Sequence, residues 1–249
     1  MRGVILAGGT GSRLYPLTKV VNKHLIPVGS VPMIYHAIKK LTEANITDIL
    51  IVTGVEHCGT IIAQCGDGSD FNCKFTYKIQ TKAGGIAQAL LLAEDFVRND
   101  NCCVILGDNI FNRNIKNDVL EFDKENNGAK ILLKSVEDPS RFGVAYGYRK
   151  MSMSSNQLCI ENIEEKPKNP KSNLAVTGIY FYDSTVFQKI KSIKPSARGE
   201  LEITDVNNMY IKENKMTANI MSDNEWWTDA GTIESLRKAN ALINNFSYN

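Results

Sequence analysis

The chain opens on an apolar run over 2–7 that ends in glycines, the pattern of a strand buried on both faces. Behind Pro32, apolar residues recur three and four apart at Met33, Ile34, Ala37, Ile38 and Leu41. That spacing predicts an amphipathic helix with proline near its first turn. A second buried strand is predicted over 48–53, closed by Gly54, with a helix over 56–65 behind it. A third strand over 75–79 leads through Gly84-Gly85 into a helix over 86–93. A fourth strand over 102–106 ends at Gly107-Asp108-Asn109. Strand and helix alternating at this pace imply a parallel sheet covered on both faces.

The second half has a different rhythm. Strands are predicted over 129–134, 142–148, 158–164 and 174–182, and helices over 183–192, 200–214 and 232–245. The polar stretch 151–157 reads as a hairpin tip. No Gly/Ser/Pro-rich linker interrupts the chain, so one α/β domain over 1–249 is expected, with a mostly parallel mixed central sheet flanked by helices.

Composition narrows the class. The 249 residues carry 29 Lys+Arg against 27 Asp+Glu, a formal net charge of +2. So even a balance argues against a nucleic-acid partner, which calls for a clustered basic face. No apolar run reaches the roughly 18–20 residues that span a bilayer, and the N-terminus lacks a signal-like apolar core. A cytoplasmic protein without a membrane partner is expected. The 6 cysteines lack metal-ligand spacing, and Cys102 and Cys103, adjacent in a strand, should face opposite sides of the sheet. Free, mostly buried thiols are expected.

The candidate chemistry starts where the first strand ends, at Leu6-Ala7-Gly8-Gly9-Thr10-Gly11-Ser12-Arg13. A glycine-rich turn after a buried strand lets backbone N–H groups approach phosphates. It is not the dinucleotide fingerprint, whose third glycine falls on Leu14, nor a Walker A loop. Glycine turns are common, and a lone cation is usually a solvated charge. Arg13 within the loop and Lys23 soon after it shift the balance toward a triphosphate or pyrophosphate site. Asp108 follows the fourth strand, at the sheet end where ligands bind, and could serve a magnesium ion; alone it could equally be a strand-end turn. Asp229, in Trp226-Trp227-Thr228-Asp229, is a second aspartate far away in sequence, with the cap of the last helix as its plainer reading. Lys166, in Glu164-Glu165-Lys166-Pro167, and Arg198 are further candidate phosphate ligands that, alone, read as surface charges.

Together these segments resemble the sugar nucleotidyltransferases, and most of all their thymidylyl branch. The family opening L-A-G-G-x-G-x-R-L-x-P-x-T is met from Leu6 to Thr18, with its lysine at Lys23. Gln80 with Gly84-Gly85-Ile86-Ala87-Gln88-Ala89, Leu106-Gly107-Asp108-Asn109, Arg141-Phe142-Gly143-Val144, Glu164-Glu165-Lys166-Pro167 and Ala175-Val176-Thr177-Gly178 also fit. So does Pro195-Ser196-Ala197-Arg198-Gly199-Glu200-Leu201-Glu202-Ile203-Thr204-Asp205. The likeness covers essentially the whole chain.

The resemblance implies a Rossmann-like fold with a nucleotide-binding half over 1–110 and a sugar-phosphate-binding half over 111–249. It implies transfer of a nucleotidyl group from dTTP to glucose 1-phosphate, assisted by Mg2+. Arg13, Lys23, Asp108 and Lys166 would be catalytic. Leu6, Gly8, Gly9, Gly11, Gln80 and Gly85 would hold the nucleotide. Asn109, Gly143, Glu165, Lys166, Thr177, Arg198 and Trp227 would face the sugar phosphate, and Asp108 and Asp229 would hold the metal. A UTP-dependent uridylyltransferase and a non-catalytic nucleotide-sugar-binding subunit are the alternatives. A homo-oligomer is expected. Departures from the family pattern are Val31 for lysine, His24 for glutamine, Ala230 for threonine and a long hairpin over 146–160. Longer family members continue past the last common helix, so a catalytic core lacking at least part of their regulatory surface is expected.

Overall fold

The computed structural model describes residues 1–125, 127–150 and 157–246. The first half folds as β1 (Arg2–Ala7), a short hairpin of β2 (Pro27–Val28) and β3 (Val31–Pro32), α1 (Met33–Glu43), β4 (Asp48–Gly54), α2 (Cys58–Cys65), β5 (Lys74–Gln80), α3 (Ile86–Leu91), α4 (Glu94–Val97) and β6 (Cys102–Leu106). There follow β7 (Asn109–Phe111), α5 (Lys116–Glu125), β8 (Ala129–Ser135), β9 (Gly143–Lys150), β10 (Gln157–Glu165) and β11 (Leu174–Tyr182). The chain closes with α6 (Val186–Ser192), α7 (Ile203–Lys212), β12 (Met216–Ile220), β13 (Trp227–Asp229) and α8 (Ile233–Phe246).

Nine strands form one mixed sheet in the order β5-β4-β1-β6-β11-β8-β12-β10-β9. Seven share one direction; β11 and β10 oppose them. The four strands that the first half gives to this sheet, β1, β4, β5 and β6, are all parallel, as the alternation predicts. β11 joins the halves by pairing antiparallel with β6 on one side and β8 on the other. The β9–β10 hairpin is present, but its expected tip over 151–156 lies outside the described residues.

Alternation along each strand divides the core between the two sheet faces. Val4, Leu50 and Val104 pack on one face with Ala87, Leu90, Val206 and Tyr210 from α3 and α7. Ile5, Ile51 and Ile105 pack on the other with Ile34, Ile38 and Leu41 from α1 and Phe122 from α5. Cys102 and Cys103 fall into opposite clusters, as their adjacency predicts.

Several boundaries differ from the sequence reading. α7 begins at Ile203, because Gly199 takes φ 73 and holds 195–202 in a turn. α6 begins at Val186, behind a turn in which Asp183 accepts from the Thr185 N–H at 3.0 Å. α8 carries the expected cap: Thr232 Oγ1 accepts from the Ser235 N–H at 3.1 Å, and the Thr232 N–H donates to Ser235 Oγ at 3.0 Å. That cap is complete without Asp229, which sits on β13 opposite Asn109 of β7.

Candidate active site

Parallel strands deliver their C-terminal ends to one edge of a sheet, and ligands gather there. β1 ends into Gly8, β5 ends at Gln80, and β6 ends just before Asp108. β11 crosses the same region in the opposite direction and brings Thr177 and Gly178 beside them. A cavity of about 390 Å3 opens at this edge. Its wall contains Leu6, Gly8, Gly9, Arg13, Lys23, Gln80, Gly85, Asp108, Asn109, Gly143, Glu165, Lys166, Thr177, Arg198, Trp227 and Asp229.

Gly11 is the one expected residue outside that wall. It shapes the loop instead: φ is 69, and its carbonyl accepts from the Leu14 N–H at 2.8 Å and the Thr18 hydroxyl at 2.9 Å. A Cβ there would come within 2.7 Å of Thr18 Cγ2. A methyl group on Gly8 would overlap Gln80 Oε1, so that side chain would have to shift. Gln80 is fixed in turn by its Nε2–H, which donates to Gln88 Oε1 on α3 at 2.6 Å. Gly85, at φ 96, lets the 84–85 loop lie against the backbone of Leu201, whose N–H donates to Gly84 O at 2.8 Å.

The charged groups arrive in opposed pairs. Lys23 Nζ donates to Asp108 Oδ2 at 2.6 Å. Burial alone would raise the Asp108 carboxyl; the Lys23 ammonium, as charge and as hydrogen-bond donor, outweighs it together with the neighbouring His24 and the Asn109 amide, and the group is held well below the carboxylate range. Asp229 lies 3.6 Å from Arg141 Nη2, and burial followed by the nearby Asp108 charge pushes its carboxyl up. A methyl group on Gly231 would sit 3.2 Å from Arg13 Nη2, 3.4 Å from Asp108 Oδ2 and 3.5 Å from Asp229 Oδ2. Two carboxylates and a guanidinium therefore all border Gly231. Two carboxylates with room for phosphate oxygens is the donor set magnesium takes, so the residues present fit such an ion. Among the described residues no cluster of three or more metal-ligating side chains occurs.

Asn109 is 3% exposed and links three parts of the wall. Its Oδ1 accepts from Trp227 Nε1–H at 2.6 Å and from the Gly178 N–H at 3.1 Å, while its amide donates to Asp108 Oδ1 at 2.9 Å. Trp227 packs on Phe142 with ring centroids 4.9 Å apart. Glu165 is held between the Thr204 hydroxyl at 2.6 Å and Arg198 at 3.3 Å. Arg198 also meets Glu202 at 2.7 Å. Lys166 takes the left-handed backbone, φ 45, and its N–H donates to Phe142 O at 2.9 Å. For a lysine that conformation costs roughly 1–2 kcal/mol, so the surrounding contacts hold it there.

The sequence reading missed several wall residues: Arg141, His24, Tyr180, Thr204 and Asn207. Arg141 and Thr204 lie inside recognisable runs, so a signal existed without a role attached. His24 is buried; its backbone N–H meets Asn22 Oδ1 at 2.8 Å and its Nδ1 lies 2.9 Å from the same oxygen. Thr177 Oγ1 and Asn207 Nδ2 are buried in the cavity wall without a hydrogen-bond partner among the described residues. Unsatisfied buried polar atoms are costly in a closed core and suit a site that receives a hydroxylated ligand.

The nucleotidyl transferase family model matches residues 2–245. A glucose-1-phosphate thymidylyltransferase of Neisseria meningitidis is 42% identical over 244 residues, covering 98% of this chain and 82% of the relative. A protein of the same name from Mycolicibacterium smegmatis is 39% identical, with the same coverage. A Bacillus anthracis crystal structure described under that name, with sucrose bound, superposes at TM-score 0.88 with 61% identity, covering 97% of this chain and 94% of that one. A UDP-glucose pyrophosphorylase complexed with UDP-glucose shares the fold at TM-score 0.85 and 24% identity, covering 98% of each chain.

Proposed function

The chain belongs to the nucleotidyl transferase family, and from that premise we propose that it transfers the thymidylyl group of dTTP to glucose 1-phosphate, giving dTDP-glucose and pyrophosphate. The observation that carries this reading is that Arg13, Asp108 and Asp229 gather around Gly231 in the wall of a cavity that also holds Gly8, Gln80, Glu165 and Arg198. Cations and carboxylates gathered in one cavity wall suit a phosphoryl group in transfer between two substrates.

In this reading a sugar-phosphate oxygen attacks the α-phosphorus in line. A new P–O bond forms, the α–β bridge breaks, and its electron pair leaves with pyrophosphate. The nucleophile is already an anion, so no side chain need remove a proton. The protein's part is to align the two substrates and to offset charge. Arg13 and Lys23 bind the triphosphate; Leu6, Gly8, Gly9, Gln80 and Gly85 seat the nucleotide, and Gly11 shapes the loop beneath it. Lys166 and Arg198 bind the sugar phosphate. Gly143, Glu165 and Thr177 face the sugar hydroxyls, with Trp227 as a wall and Asn109 holding that wall to Asp108. Asp108 and Asp229 would hold magnesium, which supplies positive charge to the phosphate oxygens when bound. The segments 1–110 and 111–249 are the nucleotide and sugar-phosphate halves.

A cytoplasmic location and a homo-oligomeric state belong to the same reading. Among the described residues no helix is long and apolar enough to cross a membrane.

The names of the relatives count against UTP as the donor. The full set of Arg13, Lys23, Asp108, Asp229 and Lys166 counts against a non-catalytic binding subunit. The test is pyrophosphate release from dTTP, UTP, CTP, ATP and GTP, crossed with several sugar 1-phosphates in the presence of magnesium. The expected result is highest turnover with dTTP and glucose 1-phosphate. Preference for UTP would move the protein to the uridylyl class, and silence across the panel would make it a binding subunit.

A further inference from the structure

Five cations line the cavity: Arg13, Lys23, Arg141, Lys166 and Arg198. The reading above gives a phosphate to each except Arg141.

Arg141 closes a short helical turn, Pro139–Arg141, whose start is fixed by Asp138 accepting from the Ser140 N–H at 3.1 Å and its hydroxyl at 2.6 Å. The turn is locked on its far side by the Phe142 N–H donating to Pro139 O at 3.0 Å. The guanidinium carbon lies 5.7 Å from the Phe142 ring centroid, on the aromatic wall that includes Trp227.

Its pairing with Asp229 is looser than that of Lys23 with Asp108. Lys23 meets Asp108 at 2.6 Å, whereas Arg141 meets Asp229 at 3.6 Å. Arg198 is spread over Glu165, Glu200 and Glu202, while among the described residues Arg141 has Asp229 as its one ion-pair partner. A guanidinium presents five donors in a planar fork that matches phosphate oxygens. One long contact to a single carboxylate oxygen leaves most of that fork unused. When Asp229 is taken by another cation, Arg141 is left charged, on a fixed turn, in the cavity wall where Arg13, Asp108 and Asp229 border Gly231.

We propose that Arg141 is a further phosphate ligand, which gives up Asp229 and binds the phosphoryl group in transfer once both substrates are in place. This rests on the transferase reading above. Arg141 is then a catalytic residue rather than a counter-ion for Asp229.

The test compares R141A and R141K with wild-type protein in dTDP-glucose synthesis, with KM and kcat resolved for both substrates. R141A is expected to lose about 10²-fold or more in kcat, with each KM moving less than about fivefold. R141K should recover only a small part of the loss, because a point charge cannot replace the fork. Added guanidinium should raise R141A turnover saturably, and added ammonium should not. Because Arg141 is partly exposed, both variants are expected to fold, as checked by their thermal unfolding. An R141A kcat within threefold of wild type would overturn the proposal. So would a loss fully reversed by higher magnesium, which is what a mere counter-ion of Asp229 predicts. A wild-type protein that makes no nucleotide sugar would sink the transferase reading instead.

Discussion

Lys23 reaches across Gly9 to place its ammonium 2.6 Å from Asp108 Oδ2, so a cation suited to a triphosphate and a carboxylate suited to magnesium hold each other in the free protein. Nucleotide binding must exchange this pair for two new ones. K23M is therefore expected to have opposite effects on two ligands. The KM for dTTP should rise about tenfold or more, while the substrate-free protein should bind Mn2+ more tightly because Asp108 is released. Calorimetric titration of Mn2+ into both proteins checks this; equal affinities would show that Lys23 does not compete for Asp108.

Removing charge from either aspartate should act on turnover rather than on folding. D108N and D229N are each expected to lower kcat by about 10³-fold or more at saturating substrates. Near-normal turnover in D108N would sink the metal assignment.

Lys166, the proposed ligand of the sugar phosphate, lies 3.8 Å from Glu165 in the cavity wall. K166A should raise the KM for glucose 1-phosphate by about tenfold or more and move the KM for dTTP much less. Equal effects on both substrates would place Lys166 on the nucleotide instead.

His24 provides a pH test with a definite sign. Burial, followed by the adjacent Lys23 charge, pushes its imidazole down from 6.5 to about 3. The folded state therefore keeps it neutral where the unfolded chain takes up a proton. Its contribution to stability is complete above about pH 6.5 and is lost progressively as the pH falls toward 3. Urea unfolding at pH 7 and pH 4 should show wild type losing more stability than H24Q, by about 3 kcal/mol. An identical loss in both proteins would mean that His24 is charged in the fold.

Gly8 tests the nucleotide pocket through packing alone. In G8A the new methyl group must displace Gln80, which is held from behind by Gln88. Nucleotide affinity is expected to fall about tenfold or more with the fold retained, as read by dTTP binding and thermal unfolding. Unchanged binding would mean that Gln80 can yield.

That the glycine-rich loop and the separated aspartates meet in one cavity was legible because chemistry and local geometry coincide there. A buried strand must end in glycines for a phosphate to approach, and Gly8, Arg13 and Lys23 follow at once. Elsewhere burial and polarity part company. α5 was not anticipated, because its buried face includes Asp118. That carboxylate is matched by Arg113 at 2.9 Å and by Asn219 of β12 at 2.8 Å. The same pairing puts a buried asparagine into β12, a five-residue strand that alternates apolar and polar from Met216 to Ile220 but buries the polar Asn219 and exposes the apolar Ile220. Arg198 and Glu202, four apart, resemble a pair on a helix, yet their contact closes the turn before α7. Arg141 carried no role in the sequence because its partner Asp229 lies far along the chain.

The antiparallel contact between β6 and β11, with Val104 opposite Tyr180 and Ile105 opposite Ile179, has a consequence for how specificity can change. Asp108 follows one of these strands, and Thr177 is carried by the other. In the proposed function, donor and acceptor preferences are therefore written on adjoining threads of one fabric, not on exchangeable cassettes. Grafting residues 111–249 from a relative with another sugar would cut that seam, leaving β6 with an unpaired edge or a mismatched neighbour. New sugar preference should be reached through substitutions in the cavity wall, and shuffled halves should yield misfolded chains before they yield new catalysts.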